Sequence, residues 1–513
     1  MKRIHRSIVC GIGFFFVLGT LAFAAAQGET AGAAKEKIRL KIMVNSGWTS
    51  YFPANTDVNS NEWANLYSAK FPEYQIIWDM VPATGYTEKK NLIMASADMP
   101  DIISCSQNDI VVWADQSLIQ PLDGVVKQNI PLWEKIVVPL KSNEYGSYKD
   151  KIWAFTSPLN AKHNVPANFV RKDWLDAVGM KMPTNNEELL AVMKAFTTKD
   201  PDGNGKNDTY GMGGSKGLFN MNQVFNPFGV IYGMGDWTRA DGKVVPYIVR
   251  PEMKEALAFV KRCYDAGVID PDSFVQDGNK YWEKVRQGAY GFVDYYTNGV
   301  VNVAEPAMKQ TNPKVEFKMV YPPLKGPQGK QIIRTASRGN SGLWAAPVVN
   351  KHPEAFARVF QWLLEGAGDT FNYGTRENVS FKKVGDFKQE IGRQSDPDFW
   401  RMNYRIMFSI SSHAASDAGV QAYWKTMAEN KLTTPEYPVT IQAQIEYGVA
   451  DAYFIKSKVA IDKYPELESY FDELKMDIIL GKKPISDFDG WVDFFYKNGG
   501  TEIVADASRL NPR

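Results

Sequence analysis

Histidine and cysteine are both scarce. The 513-residue chain holds four histidines, His5, His163, His352 and His413, and three cysteines, Cys10, Cys105 and Cys263. So few and so scattered, the histidines leave little material for a histidine-rich metal centre. The chain has no C-x-x-C, H-E-x-x-H or G-x-S-x-G, so redox-thiol, zinc-protease and serine-hydrolase chemistry lack their signatures. Charge of one sign is also missing: 59 Lys and Arg stand against 58 Asp and Glu, and no basic excess advertises nucleic acid. Beyond the first two dozen residues no apolar run approaches the roughly 20 residues that cross a bilayer. There is no internal repeat and no low-complexity tract.

What is present is a globular composition, 44% hydrophobic and 23% charged, long enough for two to four domains. It begins with a leader. Lys2, Arg3 and Arg6 precede an apolar run from Ile8 to Phe23, and small residues end it at Ala24-Ala25-Ala26. That order predicts a cleaved secretory signal peptide over 1–26 and a location in the periplasm or outside the cell. Cys10 lies too early to be a lipobox cysteine, so an unlipidated protein is expected. Residues 27–37 read as a polar tether. Cys105 follows Ile102-Ile103 and Cys263 sits on a helical face, which predicts two buried free thiols packed as small hydrophobes.

Strand and helix signals then alternate. Ile38, Leu40, Ile42 and Val44 give a strand ending at Asn45-Ser46-Gly47-Trp48, a helix follows near Asn61–Lys70, and Tyr74–Met80 is a second strand. A helix over Tyr86–Ala97 and a short strand over Asp101–Ser104 complete an α/β lobe. Further on, Thr184 and Glu187 form a predicted capping box for a helix through Phe196. Pro251 opens a helix closed by Gly267. Ala289–Tyr296 and Glu316–Pro322 read as strands, and Gly342–Val349 as a strand that returns to the first lobe. A helix over Pro353–Leu364 is capped by Gly366, and the last hundred residues read as mainly helical.

The sharpest motif is Asp200-Pro201-Asp202-Gly203-Asn204-Gly205-Lys206-Asn207-Asp208. Counted from Asp200, oxygen-bearing residues fall at positions one, three, five and nine. Lys206 at seven offers its backbone carbonyl, and Gly205 at six permits the sharp turn of a calcium loop. Position twelve is Gly211, so the usual bidentate Glu is missing, and Thr209, another loop residue or water has to complete the shell. The predicted ligands are Asp200, Asp202, Asn204, Lys206 and Asp208. Their place between a helix and a strand makes the calcium structural. Acid pairs such as Asp270/Asp272 and Asp396/Asp398 have no geometry in sequence that separates a glycosidase pair from surface charge.

Aromatic residues cluster where strands end. Trp48 lies past the first strand, Trp113 in an Asp109–Asp115 stretch, Tyr295 and Tyr296 at a strand end, Trp344 near a lobe crossing, and Tyr373 before Gly374. In α/β lobes ligands gather beyond the carboxyl ends of strands, and rings there stack on the apolar faces of sugars.

Several stretches in order, Tyr86–Leu92 with Met99–Ile102, Leu118–Asp123, Val170–Gly179, Asp200–Gly211, Lys351–Ala355 and Ile478–Ser486 with Gly499-Gly500, carry a resemblance. Together they resemble the extracellular solute-binding proteins of family 1, the receptors of carbohydrate ABC importers, and above all the large alginate- and oligosaccharide-binding members. The resemblance implies a two-lobe, type II periplasmic-binding-protein-like α/β fold with a helical C-terminal region. Lobe 1 is expected over 38–157 plus 339–396 and lobe 2 over 158–338 plus 397–513. It implies a monomeric, non-enzymatic receptor that closes over an oligosaccharide and delivers it to membrane permease subunits, with no nucleic-acid partner. In that subgroup the loop at 200–208 binds calcium. Arg171, Arg338 and Arg376 join the aromatic residues as candidate carboxylate forks if the sugar is acidic. The competing expectations are a secreted, calcium-stabilised glycoside hydrolase or lyase, and a receptor of the same fold for a peptide or other non-sugar solute.

Overall fold

The computed structural model describes residues 36–160, 166–232, 237–334, 340–391, 396–407, 416–449, 451–452 and 456–511. The predicted leader, most of the tether, His163, Arg338 and His413 lie outside them. Among the described residues no helix is long and apolar enough to cross a membrane.

Two sheets organise the chain. The first has five strands in the order Tyr74–Pro82, Ile38–Ser46, Ile102–Cys105, Asn340–Ala345 and Ala154–Pro158. The first three run parallel, in register from Ile38 opposite Tyr74 to Ser46 opposite Pro82. Asn340–Ala345 runs antiparallel between Ile102–Cys105 and Ala154–Pro158, so the segment predicted to return to the first lobe does so as an inserted central strand. Successive side chains point to opposite faces of a strand. Leu40, Ile42 and Val44 therefore pack with Trp63, Tyr67 and Phe356 on one face, while Met43 joins Ile103, Ile110 and Trp113 on the other.

The second sheet has four strands in the order Phe317–Met319, Pro166–Arg171, Tyr290–Tyr296 and Tyr210–Met212. Phe317–Met319 is shorter than the strand predicted over Glu316–Pro322. Pro166–Arg171 is antiparallel to both of its neighbours. Helices Asn186–Thr198 and Pro251–Asp265 cover one face, joined by Phe471, Ile478, Trp491 and Ile503 from the helical C-terminal region. Asn185 caps the first of these helices, accepting from Glu187 N and Glu188 N, while Thr184 instead binds Glu188. The cap therefore sits one residue beyond the predicted Thr184–Glu187 box.

The chain passes between the sheets after Pro158, returns before Asn340, and leaves again after Met407. Trp400, Tyr404, Ile406 and Met407 pack in the first lobe's core with Phe371 and Trp78. The last crossing therefore comes later than the expected change of lobe at 396–397. Gly366 adopts the left-handed backbone predicted for a cap (φ +114), but helix resumes and runs to Tyr373. The 22-residue helix Lys458–Ile479 belongs to the second lobe's core, yet Ile461 near its start packs on the first lobe against the Met43–Trp113 cluster.

Candidate functional site

Strand polarity fixes which sheet ends face each other. Ala154–Pro158 points towards the crossing and Pro166–Arg171 starts from it, so the second sheet meets the first lobe at the amino end of Pro166–Arg171. Because Tyr290–Tyr296 is antiparallel to that strand and parallel to Tyr210–Met212, their carboxyl ends lie at the same side. In the first lobe the facing side is the carboxyl end of Ile38–Ser46 and Ile102–Cys105.

The first lobe's wall is built there by two segments held together. Ser46 Oγ bonds Asn403 Oδ1, and Asn403 Nδ2 donates to the carbonyls of Trp48 (3.1 Å) and Trp400 (2.9 Å). This brings the buried Phe399 behind Trp48 and Tyr51: Trp48 meets Phe399 edge-on at 5.3 Å and Tyr51 meets Phe399 at 5.0 Å. Beside the three rings lies a pocket of about 110 Å³ lined by Asn45, Ser46, Trp48, Ser104, Trp344, Asn403 and Arg405, among others. Apolar ring faces next to amide, hydroxyl and guanidinium groups are what a sugar, with its C–H faces and hydroxyl edges, requires. Burial pushes the Arg405 guanidinium down to about 9, helped by Arg401 and opposed by Glu390. No local sequence signal marks Arg405 and the Phe399–Asn403 segment, because their place depends on a contact with residues some 350 positions earlier. A larger groove of about 500 Å³, lined by Met180, Met182, Lys318 and Glu436, runs along the edge strand Phe317–Met319 and belongs to the second lobe alone.

The second lobe contributes the end of Tyr290–Tyr296. Tyr295 stacks on Trp282 at 4.2 Å, and Tyr296, 40% exposed, stands beyond it. Trp48, Tyr295, Tyr296 and Trp344 thus all lie at facing sheet ends, although Trp344 shows little surface and donates Nε1 to Ile406 O at 3.0 Å.

Of the other predicted contacts, Trp113 and Arg171 lie elsewhere, while Tyr373 and Arg376 sit beside the Phe399–Tyr404 segment but are buried or already paired. Trp113 is buried in the helix Gln107–Asp115 under Lys90, 5.7 Å from its ring, because its helix turns that face to the sheet. Arg171 ends a strand that runs away from the crossing, so it lies at the remote end of the second lobe. It is buried against Trp174 (4.6 Å) and paired with Asp173 at 2.8 and 2.6 Å. Tyr373 is buried near Tyr423. Arg376 is exposed, but its fork is spent on Asp398, which holds its pKa up, with Nε 2.7 Å from Oδ2. Asp398 and Asp396 accordingly serve as ion-pair partners, the latter for the fully buried Arg401. Asp270 likewise binds Lys284 (2.6 Å) and Tyr290.

The acidic loop lies between Asn186–Thr198 and the amino end of Tyr210–Met212, the end of the sheet remote from the cleft. Its turn is as predicted: Gly203 and Gly205 have φ +69 and +75. Asp200 accepts from Asn204 N (3.1 Å) and Gly205 N (2.9 Å), and the Asn204 amide spans Asp202 and Asp208 at 2.9 and 3.2 Å. Burial and then the neighbouring Asp200 and Asp208 push the Asp202 carboxyl up, while backbone donors pull Asp200 down. Among the described residues no group of three or more Asp, Glu, His or Cys side chains is placed to hold a metal ion. The donors are nonetheless all hard oxygens crowded on one turn, which suits calcium. One detail narrows the expected shell and a second accounts for its missing Glu. Thr209 is buried with its hydroxyl given to Phe196 O (2.8 Å), so it is not a ligand. A Cβ on Gly211 would meet Met193 Cβ at 2.4 Å, so the missing position-twelve Glu has no room.

Cys105 and Cys263 are free. The profile of the bacterial extracellular solute-binding proteins matches residues 45–368. The polygalacturonan/rhamnogalacturonan-binding protein YtcQ of Bacillus subtilis is 25% identical over 499 residues, 94% of each chain. Two solved structures share the fold. The FusA substrate-binding protein of S. pneumoniae in complex with kestose gives a TM-score of 0.66 at 20% identity, covering 92% of this chain and 98% of that one. The alginate-binding protein AlgQ2 without calcium ion gives 0.68 at 17% identity, covering 94% and 99%. An EF-hand mutant of FusA has also been solved.

Proposed function

The chain belongs to the bacterial extracellular solute-binding protein family, and from that premise we propose that it captures an oligosaccharide between its lobes and delivers it to an ABC importer. The observation that carries the reading is the pair of aromatic sheet ends, Trp48 and Tyr51 backed by the buried Phe399 on one lobe and Tyr295–Tyr296 on the other, facing across the crossings. Relatives named for polygalacturonan and fructooligosaccharide binding support a sugar over a peptide. Residues of the two lobes approach a ligand from opposite sides, so binding favours the closed arrangement by its added contacts.

Asp200, Asp202, Asn204, the Lys206 carbonyl and Asp208 would hold calcium, which neutralises the crowded carboxylates and fixes the turn far from the cleft. The leader is removed on export, leaving an unlipidated monomer whose lobes meet the permease. Isothermal titration with kestose, oligogalacturonates, alginate oligomers and a mixed peptide panel tests the reading. A sugar should bind without being cleaved and should shrink the radius of gyration in solution scattering. Retention of peptides alone would transfer the site to another solute, and release of shorter sugars would make the protein an enzyme.

A further inference from the structure

The loop that leaves the carboxyl end of Tyr210–Met212 carries an exposed phenylalanine, Phe219. Between Gly213 and Met221 the chain folds into a small hairpin in which Ser215 N donates to Phe219 O (2.9 Å) and Phe219 N to Ser215 O (3.1 Å). Gly217, Leu218 and Asn220 have φ +82, +64 and +65. The left-handed region is unfavourable for leucine and persists only where surrounding contacts over-determine it. They do so here. Leu218 and Met221 are buried, Asn220 Nδ2 donates to Asp294 O (3.1 Å) on the neighbouring strand, and Lys216 N donates to Gln276 O (2.8 Å).

The anchored hairpin leaves one ring out. Phe219 is 44% exposed, while its neighbour Leu218 shows 1% of its surface. One side of the ring rests on Gly217, where an added Cβ would lie 3.1 Å from it. The bond from Asn220 ties the hairpin to the end of Tyr290–Tyr296, so Phe219 and Tyr296 stand at the same sheet end, opposite Trp48 and Tyr51. Burying Phe219 would stabilise an isolated lobe, and the strained backbone that keeps it in water therefore points to a ligand.

We propose that Phe219 is a stacking platform of the second lobe beside Tyr296, receiving the C–H face of a sugar ring as the lobes close; this rests on the oligosaccharide reading above. Contact made on closure acts mainly on release, so loss of the ring should speed dissociation and leave association almost unchanged.

The test uses the full chain with kestose, oligogalacturonate and alginate-oligomer pools, comparing wild type with Phe219→Ala, Phe219→Leu, Phe219→Tyr and Phe219→Trp by titration calorimetry and surface plasmon resonance. The expected result is a loss of about tenfold or more in affinity for alanine, carried by off-rate, a loss for leucine, which keeps apolar bulk without a flat face, and rescue by tyrosine and tryptophan. Melting temperatures of all variants should stay within a degree or two, since the ring is exposed. If wild type binds a pool and alanine binds it equally well, or tyrosine and tryptophan fail as alanine does, Phe219 is no platform while the sugar reading stands. If wild type retains none of the pools, the oligosaccharide reading falls and takes this proposal with it.

Discussion

Removing one carboxylate from the acidic loop separates the ion's contribution from the loop's own bonds. Asp202 is the cleanest choice. Asp200 accepts two backbone donors that hold the turn, whereas Asp202 accepts chiefly the exposed Asn204 amide at 2.9 Å. Without calcium, Asp202→Ala should therefore cost at most about 1 kcal/mol, the net worth of one such bond. With calcium at a hundredfold excess over its dissociation constant, wild type gains about 2.7 kcal/mol that the variant lacks. A unit of 150–250 residues moves by about 2–4 °C per kcal/mol, so a second lobe that melts on its own should shift by roughly 5–10 °C between calcium and chelator. If both lobes melt together, the shift should be about half of that. Scanning fluorimetry of wild type and variant in calcium and in EGTA reads these four values, and sugar titration in each condition completes the set. Because the loop lies at the remote end of the sheet, sugar affinity should change by less than about twofold. A wild type whose melting ignores chelation would refute the metal, and a folded protein that loses its sugar on chelation would refute the assignment of the ion to structure.

Trp48→Ala and Tyr296→Ala should each weaken oligosaccharide binding by about tenfold in calorimetry, the scale of one stacking contact; affinity unchanged in both would empty the facing walls of meaning. Arg171→Leu should leave sugar affinity intact but lower unfolding stability in urea by about 3 kcal/mol or more, because it strands the part-buried Asp173; a selective loss of acidic sugars would return Arg171 to the site. Burial raises the Cys105 thiol and pushes Cys263 up to about 12. A raised thiol pKa means less thiolate at pH 8, so Ellman's reagent should label neither cysteine in the native state and both in guanidinium; rapid native labelling would show an open, reactive thiol.

Much of the frame could be read from local pattern. The alternation of Leu40, Ile42 and Val44, the proline at Pro251 and the oxygen spacing of Asp200–Asp208 are decided within a few residues, and the structure places a strand, a helix start and a tight turn there. The position of Trp48, Tyr295 and Tyr296 at the carboxyl ends of strands is legible because a strand's end can be read from the strand itself. Arg171 was not, since being near the end of a strand says nothing of which end faces the partner lobe; that depends on antiparallel pairing with Tyr290–Tyr296. The ion pair of Arg376 is hidden for a related reason, its partner Asp398 lying across an intervening hairpin. The wall made by Phe399, Asn403 and Arg405 arises from chain that returns to pack on Ser46 and Trp48, and no window of sequence contains both sides of that contact.

The long helix Lys458–Ile479 changes what kind of motion the two lobes can make. Bodies joined only along one edge retain twist and sideways slip as well as opening. Ile461, seated on the first lobe while the rest of its helix is rooted in the second, adds a bearing besides the crossing strands. Two separated bearings define an axis, and a body held on an axis keeps a single rotational degree of freedom. Opening should then proceed along one reproducible arc, and the ring faces on the two walls would meet in the same register on every turnover.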